Sequence, residues 1–154
     1  CIVETGTSSY YAALMEATGE PVLKEICRNI AADELRHYKL FYDHLRRYLK
    51  REKVGPLRRL MTALGRIRES EDDELAYAYY AANEPDATYD RSRYVAIYSR
   101  RAYGYYKPHH VQRGIAMILK AVGLKPNGRL NRVLTGFACR LLQRRHARLA
   151  EAGY

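Results

Sequence analysis

Glycine and proline recur in close company along this chain, and between them the residues keep a helical period. Gly19 with Pro21, Gly55 with Pro56, Pro85 in the stretch 83–86, and GLKPNGR at 123–129 divide it into amphipathic runs. Glycine suits the end of one helix and proline the first turn of the next, so each pair reads as a turn between helices. Residues 1–18 and 21–51 are predicted to form an antiparallel helical hairpin. A third helix reads from Leu57 through Leu60, Met61, Leu64 and Ile67 into EDDELAYAYYAAN, with an interruption near Ser70. Residues 89–122 are helical in pattern, and Pro108 should bend or split them near Tyr106, because its ring clashes with the preceding turn. A last helix carries Leu130, Val133, Leu134, Phe137, Leu141 and Leu142 on one side and Arg132, Arg140, Arg144, Arg145 and Arg148 on the other. No strand alternation and no glycine-rich nucleotide loop interrupts this pattern. The class is all-α, a helical bundle.

The second helix is the most informative. Its stretch Ile30 to Phe41, IAADELRHYKLF, sets Glu34 and His37 three residues apart and therefore on one face. Leu23, Ile26, Ile30, Phe41 and Tyr48 continue that stripe, so the face is expected to be core. His44 falls on it as an interface residue. A buried carboxylate costs several kcal/mol unless a cation, a hydrogen-bond network or a metal ion pairs with it.

On the first helix, Glu4, Thr7, Tyr11 and Leu14 follow one another at helical spacing, a second acid on a largely apolar stripe. The chain has no initiator methionine, and Cys1 opens directly onto a helix-like run with no capping residue ahead of it. The expectation is that it forms the later part of a longer protein whose preceding helices are missing here. Residues 1–124 are then a helical domain truncated at its N-terminus, with 125–154 a basic amphipathic helix packed on it.

A chain of 154 residues suffices for one core. No run of eighteen apolar residues and no secretory signal pattern is present, so a cytoplasmic location without a transmembrane segment is expected. Three cysteines, Cys1, Cys27 and Cys139, lack the spacing of a zinc ribbon or a disulfide framework. The net charge of +10 is concentrated between Arg46 and Arg68 and after Gly128. Such a balance favours acidic partners, unless the charges simply solvate helix faces.

Two facing helices that each present a carboxylate, one followed three residues later by histidine, supply half of a carboxylate-bridged two-metal site in a four-helix bundle. Carboxylates bridge hard cations and adapt as oxidation state changes, while a neutral imidazole caps each metal. The second glutamate and second ExxH of a complete site are not in this chain; no glutamate lies three residues before His109 or His110, which leaves those two as a minor metal candidate.

The stretch GEPVLKEICRNIAADELRH resembles the second metal-binding hairpin of the ferritin-like superfamily, and specifically that of the acyl-carrier-protein desaturases. The earlier ETGT is similar to the helix in that family on which a metal-binding glutamate precedes a threonine by three residues. The resemblance covers roughly the first fifty residues. It implies a ferritin-like di-iron oxidoreductase that activates oxygen, with iron, or alternatively manganese, as the metal. Glu4, Glu34 and His37 would be metal ligands and Thr7 a catalytic hydroxyl passing protons toward oxygen. Asp33 and Arg36 would orient those ligands, and Tyr11 and Tyr38 would lie beside the site as packing or electron-relay residues. The other half-site would come from the missing N-terminal helices or a second copy, so the fragment alone should be inactive. An acidic carrier or redox partner would suit the basic surface. The competing reading is a non-catalytic basic helical module that binds an acidic carrier protein, an anionic membrane surface or, less readily, nucleic acid.

Overall fold

In the computed structural model, residues 1–69 and 73–151 are described, apart from the side chains of 68, 69, 73 and 74. Seven α-helices follow one another among them: α1 (Ile2–Ala17), α2 (Pro21–Glu52), α3 (Pro56–Glu69), α4 (Asp73–Asn83), α5 (Arg91–Gly104), α6 (Pro108–Val122) and α7 (Arg129–Glu151). No strand occurs among the described residues, and no helix among them is long and apolar enough to cross a membrane. The expected interruption near Ser70 and the side chain of Arg68 lie outside the described residues.

Local chemistry accounts for the boundaries. Pro21 opens α2, whose N-cap Glu20 accepts hydrogen bonds from the Val22 and Leu23 amides at 3.0 and 2.5 Å. Asp90 caps α5 by accepting from the Arg93 amide at 3.1 Å. Pro108 splits the expected helix 89–122 into α5 and α6. At the far end of α6, Gly123 takes φ of +87°, a left-handed conformation that suits glycine, and Leu124 N–H donates back to Leu119 O at 2.8 Å.

The α1–α2 hairpin is the main packing unit, and α6 lies on α1 with α7 on α5 and α6. The contact face of α1 is built from small residues, with Thr5, Ser8, Ser9, Ala12 and Ala13 all buried. Gly114 of α6 meets them closely: a Cβ there would stand 3.2 Å from Ser9 Oγ. Small side chains on both helices let the backbones approach. A second cluster joins α4 to α5, where the Tyr80 and Tyr94 rings lie 5.0 Å apart and Tyr94 is fully buried. Its hydroxyl donates to Glu84 at 2.9 Å, and Arg93 pairs with the same carboxylate oxygen.

One expectation is corrected. The Leu23, Ile26, Phe41 and Tyr48 face of α2 is exposed, not core, with Ile26 49% and Phe41 48% accessible. The packed face lies one step round the helix, where Cys27 and Tyr38 are buried and Ala31, Leu35, Tyr42, Leu45 and Leu49 half-buried. Two apolar stripes run side by side on α2, and α1 and α6 cover only the second. His44 is exposed with the first. In α7 too, Leu130, Val133, Phe137 and Leu141 face outward, while Leu134, Ala138, Leu142 and His146 are half-buried.

Candidate metal centre

The turn between α1 and α2 sets the register of the hairpin, and an antiparallel return brings position 4 back to the level of positions 34–37. Glu4 is turned inward, its side chain 15% exposed. Glu34 Oε2 stands 3.5 Å from His37 Nδ1, with exposures of 22% for the acid and 57% for the imidazole. The three side chains therefore run from interior to surface along the seam, with His37 on the uncovered apolar stripe.

Electrostatics ties the two helices together here. Burial, the largest influence on Glu4, pushes its carboxyl up; the Cys1 amino group, the helix backbone and the His37 imidazole outweigh it and leave the carboxyl below its ordinary value. The Cys1 amino nitrogen lies 2.5 Å from Glu4 Oε2 and pairs with it.

The neighbouring residues are spoken for locally. Thr7 Oγ1 donates to Val3 O at 2.7 Å within its own helix. Asp33 and Arg36 form an ion pair with each other on the exposed side of α2. Tyr38 donates its hydroxyl hydrogen to Met117 O at 2.7 Å, and its ring stacks on Tyr42. Tyr11 packs edge-on against Tyr10, with 5.6 Å between ring centroids.

Among the described residues, the group of acids and histidines gathered within 4.8 Å is a different one, Glu16, His109 and His110, at the other end of α1. His109 and His110 stand out in the sequence as neighbours, but Glu16 does not, because its approach depends on how α6 crosses α1. Glu16 Oε2 lies 2.8 Å from His109 Nε2 and 2.9 Å from His110 Nε2, while Oε1 accepts from Lys107 Nζ at 2.5 Å. The donor types suit a divalent cation, but two features oppose one. His110 Nδ1 accepts the Lys107 amide hydrogen at 3.1 Å, so the neutral ring carries its proton on Nε2 and has no lone pair to offer there. The Lys107 ammonium already occupies the carboxylate, and a cation would have to displace it. The cluster is an ion-paired clasp between α1 and α6. The Lys107 hydrogen bond, first among its causes, holds the Glu16 carboxyl down at about 2.

An all-helical chain with a carboxylate and imidazole seam on its leading hairpin is the class that fold and site define. Comparison with family models, curated proteins and solved structures finds no match for it.

Proposed function

We propose that this chain is the C-terminal part of a ferritin-like di-iron oxidoreductase, contributing Glu4, Glu34 and His37 as one half of the metal site. One observation carries the reading. Glu4 is turned inward on α1, its side chain 15% exposed, in the seam facing the α2 helix that carries Glu34 and His37, and a carboxylate held there favours a cation beside it.

The donor types support the reading. Two carboxylates and one imidazole are the donors a hard, redox-active cation takes, and they sit on adjacent antiparallel helices. The exposed stripe of Leu23, Ile26, Phe41 and Tyr48 flanks His37 and is the surface on which two further ligand-bearing helices would pack. Burial there would take His37 out of solvent and restrict water at the site. A bound pair of iron ions, or alternatively manganese, supplies the redox chemistry of oxygen activation. Thr7 would have to release the Val3 carbonyl before its hydroxyl could pass a proton toward the seam.

Metal analysis of the product of the complete coding sequence tests the proposal. About two irons per polypeptide are expected, falling to near zero in Glu34→Ala and His37→Ala variants that keep their helical circular dichroism. Full metal content in both variants would overturn it.

A further inference from the structure

A second concavity, far along α2 from the seam, gathers cations without any acid. It has a volume of about 230 Å³ where α2, α3 and the end of α6 meet, and Arg46, Lys50, Arg59 and Lys120 line it around the ring of Tyr42. The Lys120 ammonium stands 5.0 Å from the centre of that ring and the Arg46 guanidinium carbon 5.8 Å. No carboxylate belongs to the lining, and among the described residues none of the four cations forms an ion pair.

Four like charges converging from three helices repel one another, and salt screens that repulsion only in part. An anion of multiple charge placed among them reverses the sign of every pair interaction. The space, about seven waters' worth, exceeds what a halide needs.

Arg59 is positioned for such a ligand. Its Nε donates to Val54 O at 2.7 Å, which fixes the guanidinium and leaves the Nη groups. One of these lies against Gly123, where a Cβ would come within 3.0 Å of it at a φ that already disfavours other residues. At the end of α6, Gly123 N–H donates to Lys120 O and Leu124 N–H to Leu119 O, so two of the last carbonyls already have donors.

We propose that this concavity binds a phosphoryl oxyanion, the diphosphate or phosphomonoester group of a ligand. It is independent of the metal reading and would stand if that failed. The group comes from either of two sources, a soluble polyphosphate or a lipid headgroup, and one experiment separates them.

Calorimetric titration with inorganic pyrophosphate, at ionic strength held constant with sodium chloride, is run beside sedimentation with phosphatidylcholine vesicles containing or lacking phosphatidate. Saturable binding to pyrophosphate assigns a soluble ligand; binding confined to phosphatidate vesicles assigns a headgroup. In either case Lys120→Gln should weaken binding about tenfold or more, while Arg144→Gln, an equal loss of charge on α7, leaves it unchanged. Melting curves of both variants check that they are folded, and Arg46→Gln serves in place of Lys120→Gln should the latter fail to fold. The proposal is overturned by binding to neither probe, or by equal weakening in the groove variant and Arg144→Gln.

Discussion

The Tyr38 hydroxyl donates to the Met117 carbonyl across 2.7 Å, joining the middle of α2 to the middle of α6. Tyr38 is 6% exposed, so the bond is made away from water, and Tyr38→Phe removes this second donor from a carbonyl inside α6. The expected cost at neutral pH is about 1 kcal/mol in urea denaturation. Burial, with the Tyr42 phenol beside it, pushes the Tyr38 hydroxyl up to about 12. The fold therefore favours the neutral phenol. Its contribution is complete below the unfolded value near 10 and is lost as pH rises from there through about 12. Tyr38→Phe has nothing to ionise, so its deficit should shrink above pH ~10. A deficit that stays constant to pH ~12 would contradict this origin.

The clasp at Glu16 gives an acid-side counterpart. Its carboxyl is held at about 2, so its contribution is complete above the ordinary value of 4.5 and lost as pH falls through about 2. His110 behaves differently: burial first, and then the charge of His109, lowers its imidazole below 6.5 despite the attraction of Glu16. The fold favours neutral His110, and stability is lost as pH falls from 6.5 toward the lowered value. The melting temperature should thus drop in two stages on acidification. Glu16→Gln should lower it at pH 7, reduce the lower stage and steepen the upper one, because an attraction for the imidazolium is gone. Circular dichroism melts across that range measure all three effects.

The two acid and histidine groups should part company over metal. On the proposed metal reading, Glu16→Gln in the product of the complete coding sequence is expected to leave metal content unchanged while His37→Ala removes it, because His110 spends its free lone pair on an amide and Glu16 its charge on Lys107. Loss of metal in Glu16→Gln, measured by elemental analysis, would move the binding site to the other end of α1.

The uncovered stripe of α2 makes a prediction about stability. Phe41→Ser and Ile26→Ser, on the exposed face, should each shift the stability of the 154-residue chain by less than about 0.5 kcal/mol. Leu119→Ala, at a position 1% exposed, should cost about 2–5 kcal/mol. Binding of a hydrophobic dye should fall in both serine variants. A large loss in either would place that face in a core.

The helices and turns were legible in the sequence because their causes are local: Gly19 and Pro21 at one turn, Gly55 and Pro56 at the next, Pro108 at the head of α6. The orientation of α2 was not. Stripes through Ile26 and Phe41 and through Cys27 and Tyr38 share one period, and only the placement of α1 and α6 decides between them. The same reason hid Glu16, whose partners lie more than ninety residues away and meet it through a helix crossing that no spacing encodes. Glu34 and His37 stood out because residues three apart share a helix face, but the exposure of His37 depends on which face of α2 is covered and could not be read from spacing.

Asn131 tests how α7 is anchored. It is 1% exposed at the head of α7, where its Nδ2 donates to Pro126 O at 2.6 Å and Gln112 O at 3.3 Å while its Oδ1 accepts from Thr135 at 2.9 Å. One amide thus serves the preceding loop, α6 and α7 together. Asn131→Leu loses all three bonds, leaving groups unsatisfied at a cost of about 1–3 kcal/mol. Asn131→Asp keeps the acceptor but turns the donor into an oxygen facing two carbonyls. The ionised form is then opposed both by burial and by those dipoles, so its carboxyl should titrate above the ordinary range. Protonation restores one O–H donor, and the deficit of Asn131→Asp should be smaller at pH ~4 than at pH ~7, whereas that of Asn131→Leu should not change. Urea denaturation at the two pH values distinguishes them, and an equal deficit for Asn131→Asp at both would mean that the side chain is not enclosed as the hydrogen bonds require.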